Sequence, residues 1–365
     1  SKLSLVTNNI NENPLFEKVM MLSDKYRQLG VRANADTQKD AQTARNFGAK
    51  GIGLCRTEHM FFSPNRILSM RKMILASNLE ERKAALNELL PHQEKDFYGI
   101  LKAMAPYPVT IRLLDPPLHE FLPHSEKQIQ EMAEQMKIGV DKVRQAINDL
   151  HETNPMLGHR GCRLGITYPE ITRMQAKAIF RASQKLIDEG INPSPEIMIP
   201  LIGTAEEFMN QRDIIIDVYN SMGIHIKYKI GTMIEVPRAC LVADQIAEHA
   251  DFFSFGTNDL TQTTFGYSRD DVGGFLYDYL NNSVLPFDPF ESIDINGVGK
   301  LVKMAVMAGR GKKNNLKIGI CGEHGGDPES IRFFHDVGLN YVSCSPFRVP
   351  IARLSSAHAN NKRCK

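Results

Sequence analysis

Short apolar runs alternate with polar loops and helical stretches along almost the whole chain. Eight such runs stand out: Val31–Asp36, Gly51–Arg56, Val109–Asp115, Met156–Arg160, Glu196–Ile202, Tyr228–Val236, Phe252–Asp259 and Lys317–Cys321. Most are near-continuous rather than alternating, as expected of parallel strands covered on both faces. The stretches between them carry helix punctuation. Thr204 followed by Glu207 forms a capping box ahead of Phe208, and Gly223 ends that helix. Pro169 suits a first helical position, and Ile171, Met174, Ala178, Ile179, Ala182 and Leu186 keep helical spacing up to Gly190. Pro237 opens a helix over 238–250, and Asp327 with Pro328 opens one that Gly338 closes.

Strand, helix, strand, helix with short connections predicts a parallel α/β fold, and eight units predict a closed (β/α)8 TIM-type barrel. Residues 60–108 and 116–155 are longer than one crossover helix requires, so extra helices are expected after strands 2 and 3. Pro14–Leu29 reads as an N-terminal linker helix. The expected division is therefore a linker over 1–30 and a barrel over 31–365. No internal repeat or low-complexity segment interrupts the pattern.

Composition narrows the function classes. With 42% apolar and 24% charged residues the chain is an ordinary globular protein, and its net charge of +2 argues against nucleic-acid or membrane partners read by bulk electrostatics. An anionic ligand must then meet a local cluster of positive groups. No apolar run approaches the ~20 residues that span a bilayer, and Ser1 onward does not resemble a signal peptide. The missing initiator methionine suggests a processed or excised piece. Six scattered cysteines, Cys55, Cys162, Cys240, Cys321, Cys344 and Cys364, form no CxxC pair and suit a reducing, intracellular compartment.

In such barrels catalytic groups project from the C-terminal ends of strands. Those ends supply Arg56, Arg112, Arg160, Glu235, Asp259 and Cys321. Arg112 alone would suit a structural ion pair with Asp115 or Glu120; three arginines at one mouth favour capture of a small anion bearing phosphate or carboxylate. Arg269, in the loop after the seventh run, is either a fourth cation or a solvated loop charge. Glu235 and Asp259 suit a hard Mg²⁺ ion completed by water and substrate oxygens. Taken singly, Glu235 would pair with Arg238 and Asp259 would cap a helix. Gly256, Thr257 and Asn258 offer close backbone approach, a hydroxyl and an amide. Cys321, flanked by glycine, is a candidate acid–base thiol, with His324 as its rival. His59 and His159 read as supports for the groups beside them. No GxxxxGK[ST] or GxGxxG loop is present, so ATP is not expected to bind here.

Seven collinear motifs, GIGLCRTEHMFF from Gly51, TIRLLDPPLHEF from Thr110, NPMLGHRGCRL from Asn154, GTMIEVPR from Gly231, FFSFGTNDLTQ from Phe252, GICGEHGGD from Gly319 and VSCSPFRVPIARL from Val342, resemble the phosphoenolpyruvate (PEP)-utilising barrel of the pyruvate, phosphate dikinases. The resemblance extends over nearly the whole chain beyond about residue 31. It implies that Glu235 and Asp259 bind Mg²⁺ and that Arg56, Arg112 and, less directly, Arg160 hold the phosphoryl and carboxylate groups. It further implies that Gly256, Thr257, Asn258 and Asp259 line the substrate and that Cys321 exchanges a proton with the methyl carbon of pyruvate. In the family the phosphoryl group moves between PEP and a phosphohistidine on a separate domain, leaving a pyruvate enolate stabilised by Mg²⁺. That swivelling domain and the ATP-binding domain of the full-length protein are both missing from this sequence. The resemblance also implies a homodimer, and a location in the cytoplasm or an organelle such as a plastid. Rival readings are a PEP synthase or phosphotransferase enzyme I barrel, a freestanding PEP/pyruvate lyase or aldolase, and a non-catalytic sensing or dimerisation module.

Overall fold

The computed structural model describes residues 13–361. The linker expected over 1–30 and the barrel end at 365 therefore fall partly outside the described residues, as does Cys364. Eight strands run in chain order: β1 (Gly30–Asn34), β2 (Ile52–Arg56), β3 (Pro108–Arg112), β4 (Ser194–Ile199), β5 (Lys229–Ile234), β6 (Phe252–Phe255), β7 (Lys317–Ile320) and β8 (Tyr341–Cys344). Each pairs in parallel with the next, and β1 closes the ring on β8 with Gly30 opposite Tyr341 and Ala33 opposite Cys344. The fold is an α/β barrel of the TIM type, as expected.

Two of the strand expectations need correction. Met156–Arg160 is not a strand: Pro155–Leu157 makes one 3-10 turn, and Arg160 bonds back to the Gly158 carbonyl at 3.1 Å. No slot exists for it, because β3 pairs directly with β4 over Pro108–Arg112. The eighth strand is instead Tyr341–Cys344, a short run whose Ser343 faces inward to Asn34 at 2.6 Å. Glu235, Asp259 and Cys321 consequently follow the fifth, sixth and seventh strands rather than the sixth, seventh and eighth. Arg160 ends no strand.

Helix punctuation reads through to the structure. Thr204 and Glu207 make the capping box of helix Ala205–Met222, and Gly223 takes the left-handed conformation after it. Pro169 opens helix Pro169–Asp188, and Asp327 caps Pro328–Val337, which Gly338 ends at φ +83°. The helix expected over 238–250 is broken into Pro237–Leu241 and Ala243–Ala247. Extra helices follow β2 (Pro64–Ile74 and Leu79–Met104) and β3 (Glu126–Met136, Val140–Leu150 and Cys162–Thr167). The N-terminal helix, Pro14–Tyr26, docks on the C-terminal helix Val349–Asn361 through Arg353, which reaches Asp24 at 2.8 Å and the Met20 carbonyl at 3.2 Å. Among the described residues no helix is long and apolar enough to cross a membrane.

Alternate strand residues face the helices or the barrel interior. Ile52, Cys55, Ile197, Ile199, Phe253 and Phe255 join the apolar layer beneath the helices, whereas Leu54, Met198, Met233, Phe252 and Cys321 cluster inside. Below that cluster lies a charged layer. Arg32 bonds Glu196 at 2.7 Å and Thr110 at 3.0 Å, Lys317 reaches Glu196 at 3.2 Å, and the Arg32 guanidinium sits 4.0 Å from the centre of the Tyr341 ring. Gly319 makes room for that ring: a Cβ there would fall 2.1 Å from it. The barrel floor is thus filled, and the open space is at the other end.

Candidate active site

At the C-terminal mouth of the barrel a cavity of about 270 Å³ is lined by Arg56, Arg112, Glu235, Asp259, Arg269 and Cys321, together with neighbouring side chains. Exposure grades from floor to rim. Glu235 and Cys321 are fully buried, Arg112 nearly so, Asp259 is partly buried, and Arg269, His59 and Glu323 stand at the edge.

Arg112 ends β3, buried with its charge balanced on two sides. Its Nη1 lies 2.9 Å from Asp115 Oδ2, and its Nη2 donates to Glu58 Oε1. The pairing anticipated for Arg112 is therefore with Asp115 and Glu58 rather than Glu120, and the guanidinium still borders the cavity. Arg160 shares Asp115 at 2.7 Å and approaches Asp259 at 3.6 Å, so it sits behind the cavity wall against those carboxylates. Arg56 ends β2 and is held by Asp36, which accepts its backbone N–H at 2.7 Å. Arg269 lies 3.9 Å from Glu323 across the rim.

Glu235 follows β5. Its Oε1 accepts the Leu201 N–H at 2.7 Å; its Oε2 is buried with no hydrogen-bond partner. Arg238 turns away to the Gly203 carbonyl, so the alternative pairing with Glu235 is not made. Burial, then Asp259 and Asp115, push the Glu235 carboxyl well above its ordinary range, against the pull of Arg112 and Arg160. Asp259 does not cap its helix, Thr257–Phe265; that place belongs to Gly256, and Asp259 sits in the first turn facing the cavity. Gly256 is required where it stands, because a Cβ would lie 2.6 Å from Glu235 Oε2. Among the described residues no group of three or more His, Cys, Asp or Glu side chains is placed to hold a metal ion. A cation here would therefore have two protein carboxylates and complete its shell from water and ligand oxygens, a pattern suited to Mg²⁺ rather than to zinc. The orphaned Glu235 oxygen fits that demand.

Cys321, just after β7, sends its thiol toward the Phe255 carbonyl at 3.7 Å, and Asn34 holds its own carbonyl at 3.0 Å. Burial pushes the thiol up to about 11, with Ser254, Arg112 and Arg56 working the other way. A neutral, proton-carrying thiol results. His324 is no rival. Its Nε2 donates to the Pro289 carbonyl at 2.9 Å, which leaves Nδ1 to accept from the Thr257 hydroxyl at 2.7 Å; burial keeps the ring neutral. Thr257 therefore supports His324 instead of lining the cavity, whereas Asn258 lines it and also accepts the Glu323 N–H at 3.1 Å. His159 lies elsewhere, bonded to Thr167 at 2.6 Å.

Two groups escaped the sequence reading, Asp36 and Glu58, and Asp115 was foreseen only as a partner of Arg112. Asp36 closes an apolar strand run, so the strand-end rule that found the arginines would have found it. Glu58 carries no such signal.

Residues 11–361 match the family described as PEP-utilising enzyme, PEP-binding domain. The chain belongs to the PEP-utilising enzymes. It is 58% identical over 351 residues to pyruvate, phosphate dikinase 1, chloroplastic, of Arabidopsis thaliana, covering 94% of this chain and 36% of that protein. It is 60% identical over 348 residues to the corresponding protein 1 of Oryza sativa subsp. japonica, covering 93% and 37%. With pyruvate, phosphate dikinase of Clostridium symbiosum it shares 54% identity over 354 residues, 95% and 40% of the two lengths. The chain thus spans well under half the length of these relatives of the PEP-utilising family.

Proposed function

We propose that this chain is the PEP/pyruvate-binding catalytic unit of a pyruvate, phosphate dikinase, working with phosphohistidine and ATP-binding domains of a longer protein and with a second copy of itself. The three relatives named above carry the dikinase name at 54–60% identity, which favours this reading over a PEP synthase, an enzyme I or a freestanding lyase. The observation that carries it is the orphaned oxygen of Glu235 beside Asp259, a proton-bearing Cys321 and two arginines, all on one small cavity.

Arg56 and Arg112 bind the phosphoryl and carboxylate groups of a three-carbon acid, with Arg160 keeping Asp115 and Asp259 oriented. Glu235 and Asp259 would hold Mg²⁺, which supplies positive charge beside the oxygen where negative charge develops. As the phosphoryl group passes from the enol oxygen to the carrier imidazole, the bond to that oxygen breaks. Cys321 then gives the proton on Sγ to the methylene carbon, forming the methyl group of pyruvate. In reverse, the thiolate recovers it. A thiol held neutral by burial suits the forward role, and the nearby guanidiniums ease the return.

Titration with phosphonopyruvate tests the proposal. Binding is expected with Mg²⁺ and lost in Glu235→Gln; binding indifferent to both metal and substitution would defeat it.

A further inference from the structure

The rim of the cavity holds a group that the mechanism above does not use. Thr57–Phe61 forms a 3-10 turn directly after Arg56. Arg56 precedes that turn in extended conformation, and a shared carboxylate brings it and His59 together. Asp36, just beyond β1, grips both. Its Oδ1 accepts the Arg56 N–H at 2.7 Å, while its Oδ2 meets His59 Nδ1 at 2.7 Å and Arg56 Nη1 at 3.5 Å. A carboxylate only accepts, so Nδ1 carries a proton and Nε2 is left free at the edge of the cavity that His59 helps to line. The His59 side chain is 54% exposed, against 29% for Arg56 and 10% for Arg112. It therefore stands on the side from which a second reactant must enter.

We propose that His59, held by Asp36, is a further phosphoryl-binding residue, donating from Nε2 to the outer oxygens of the PEP phosphoryl group. This rests on the substrate reading above and extends it: Arg112 serves the buried end of the ligand, and His59 the end that faces the carrier. Donation from Nε2 requires the imidazolium, which the Asp36 hydrogen bond favours, with further support from Glu58 and opposition from burial and Arg56. Across the cavity it faces Arg112, Glu235, Asp259, Arg269 and Glu323. On its outer side, in a depression of about 770 Å³, are Arg66, Glu94, Lys95, Asp96 and Lys185.

The test compares PEP with pyruvate, which lacks the phosphoryl group, by calorimetric titration in Mg²⁺ with wild type and His59→Gln. Near neutral pH the substitution is expected to weaken PEP by about tenfold, the scale of one charge-assisted hydrogen bond, and to leave pyruvate unchanged. Because the ligand's own ionisation cancels in the ratio, the wild-type advantage for PEP shrinks toward one as pH rises from about 6.5 to about 9. Asp36→Asn moves that decline to lower pH. Equal losses for the two ligands, or an advantage that ignores pH, would overturn the inference. If wild type binds PEP and pyruvate and His59→Gln changes nothing, only the inference falls. If wild type binds neither, the substrate reading falls and takes it along.

Discussion

The Glu235 carboxylate accepts the backbone N–H of Leu201 at 2.7 Å, and Leu201 presents that N–H from a left-handed conformation, φ +62°. A non-glycine residue held there costs on the order of 1–3 kcal/mol. The contact fixes one oxygen of Glu235 and leaves the other bare. Because burial and Asp259 raise the carboxyl well above its ordinary range, the folded chain without a cation keeps a proton on Glu235 that the unfolded chain has already lost. Stability from this group therefore declines as pH rises above the unfolded value, and a cation that displaces the proton reverses the decline. Mg²⁺ is expected to raise Tm more at about pH 8.5 than at about pH 6, and its binding to release a proton. Differential scanning fluorimetry, and calorimetry in buffers of different ionisation enthalpy, read the two effects. Glu235→Gln abolishes both.

Cys321 supplies a second prediction. If its thiol is the acid at the methyl carbon, wild type exchanges pyruvate methyl protons with solvent deuterium in the presence of Mg²⁺. Cys321→Ala is expected to slow that exchange by about 10²–10⁴-fold, the usual reach of a positioned acid–base group. Pyruvate binding should persist, since no ion pair involves the thiol. Proton NMR follows the exchange directly; undiminished exchange in the alanine variant would remove Cys321 from the chemistry.

The arginines separate binding from stability. Arg112 is buried between Glu58 and Asp115, so Arg112→Met strands Glu58, leaves Asp115 to Arg160 alone, and is expected to cost about 3 kcal/mol of unfolding free energy. Arg56 is more exposed and keeps only a 3.5 Å contact to Asp36 through its side chain, so Arg56→Met should cost less than about 1 kcal/mol. Both should lose PEP affinity. Urea unfolding beside ligand titration distinguishes them, and equal destabilisation would contradict the assigned burial roles.

What the sequence made legible, and what it hid, follows from range. Capping at Thr204–Glu207 and the left-handed closure at Gly223 are local, and both read through unchanged. The run at 156–160 misled because five residues with Met and Leu look like a strand, yet Pro155 and the glycines on either side of His159 and Arg160 turn it. The true closing strand was hidden because Ser343 faces the barrel interior and leaves too short an apolar signature. Most strand-end groups could be placed at one mouth from order alone. The Arg112–Asp115 pair spans three positions and could be anticipated; the distant pairs could not, since Arg112 meets Glu58 across 54 positions and Arg160 meets Asp115 across 45.

The charged layer beneath the cavity gives the last prediction. Glu196 is buried, which alone would raise its carboxyl, yet Arg32 and Lys317 hold it down at about 2. A depressed folded value means that the unfolded chain takes up a proton first as pH falls. The contribution is fully present above about pH 4.5 and disappears as pH drops through about 2, amounting to roughly 3 kcal/mol. Chemical denaturation at a series of pH values should show stability falling steeply within that window. Glu196→Gln should flatten the fall while lowering stability at neutral pH, because Arg32 then stays buried without its counter-charge. The substitution lies at the opposite end of the barrel from Cys321, so pyruvate exchange in the folded variant should stay near wild type. A variant that kept neutral-pH stability, or kept the steep acid limb, would show that the Arg32–Glu196 pair does not hold the barrel floor together.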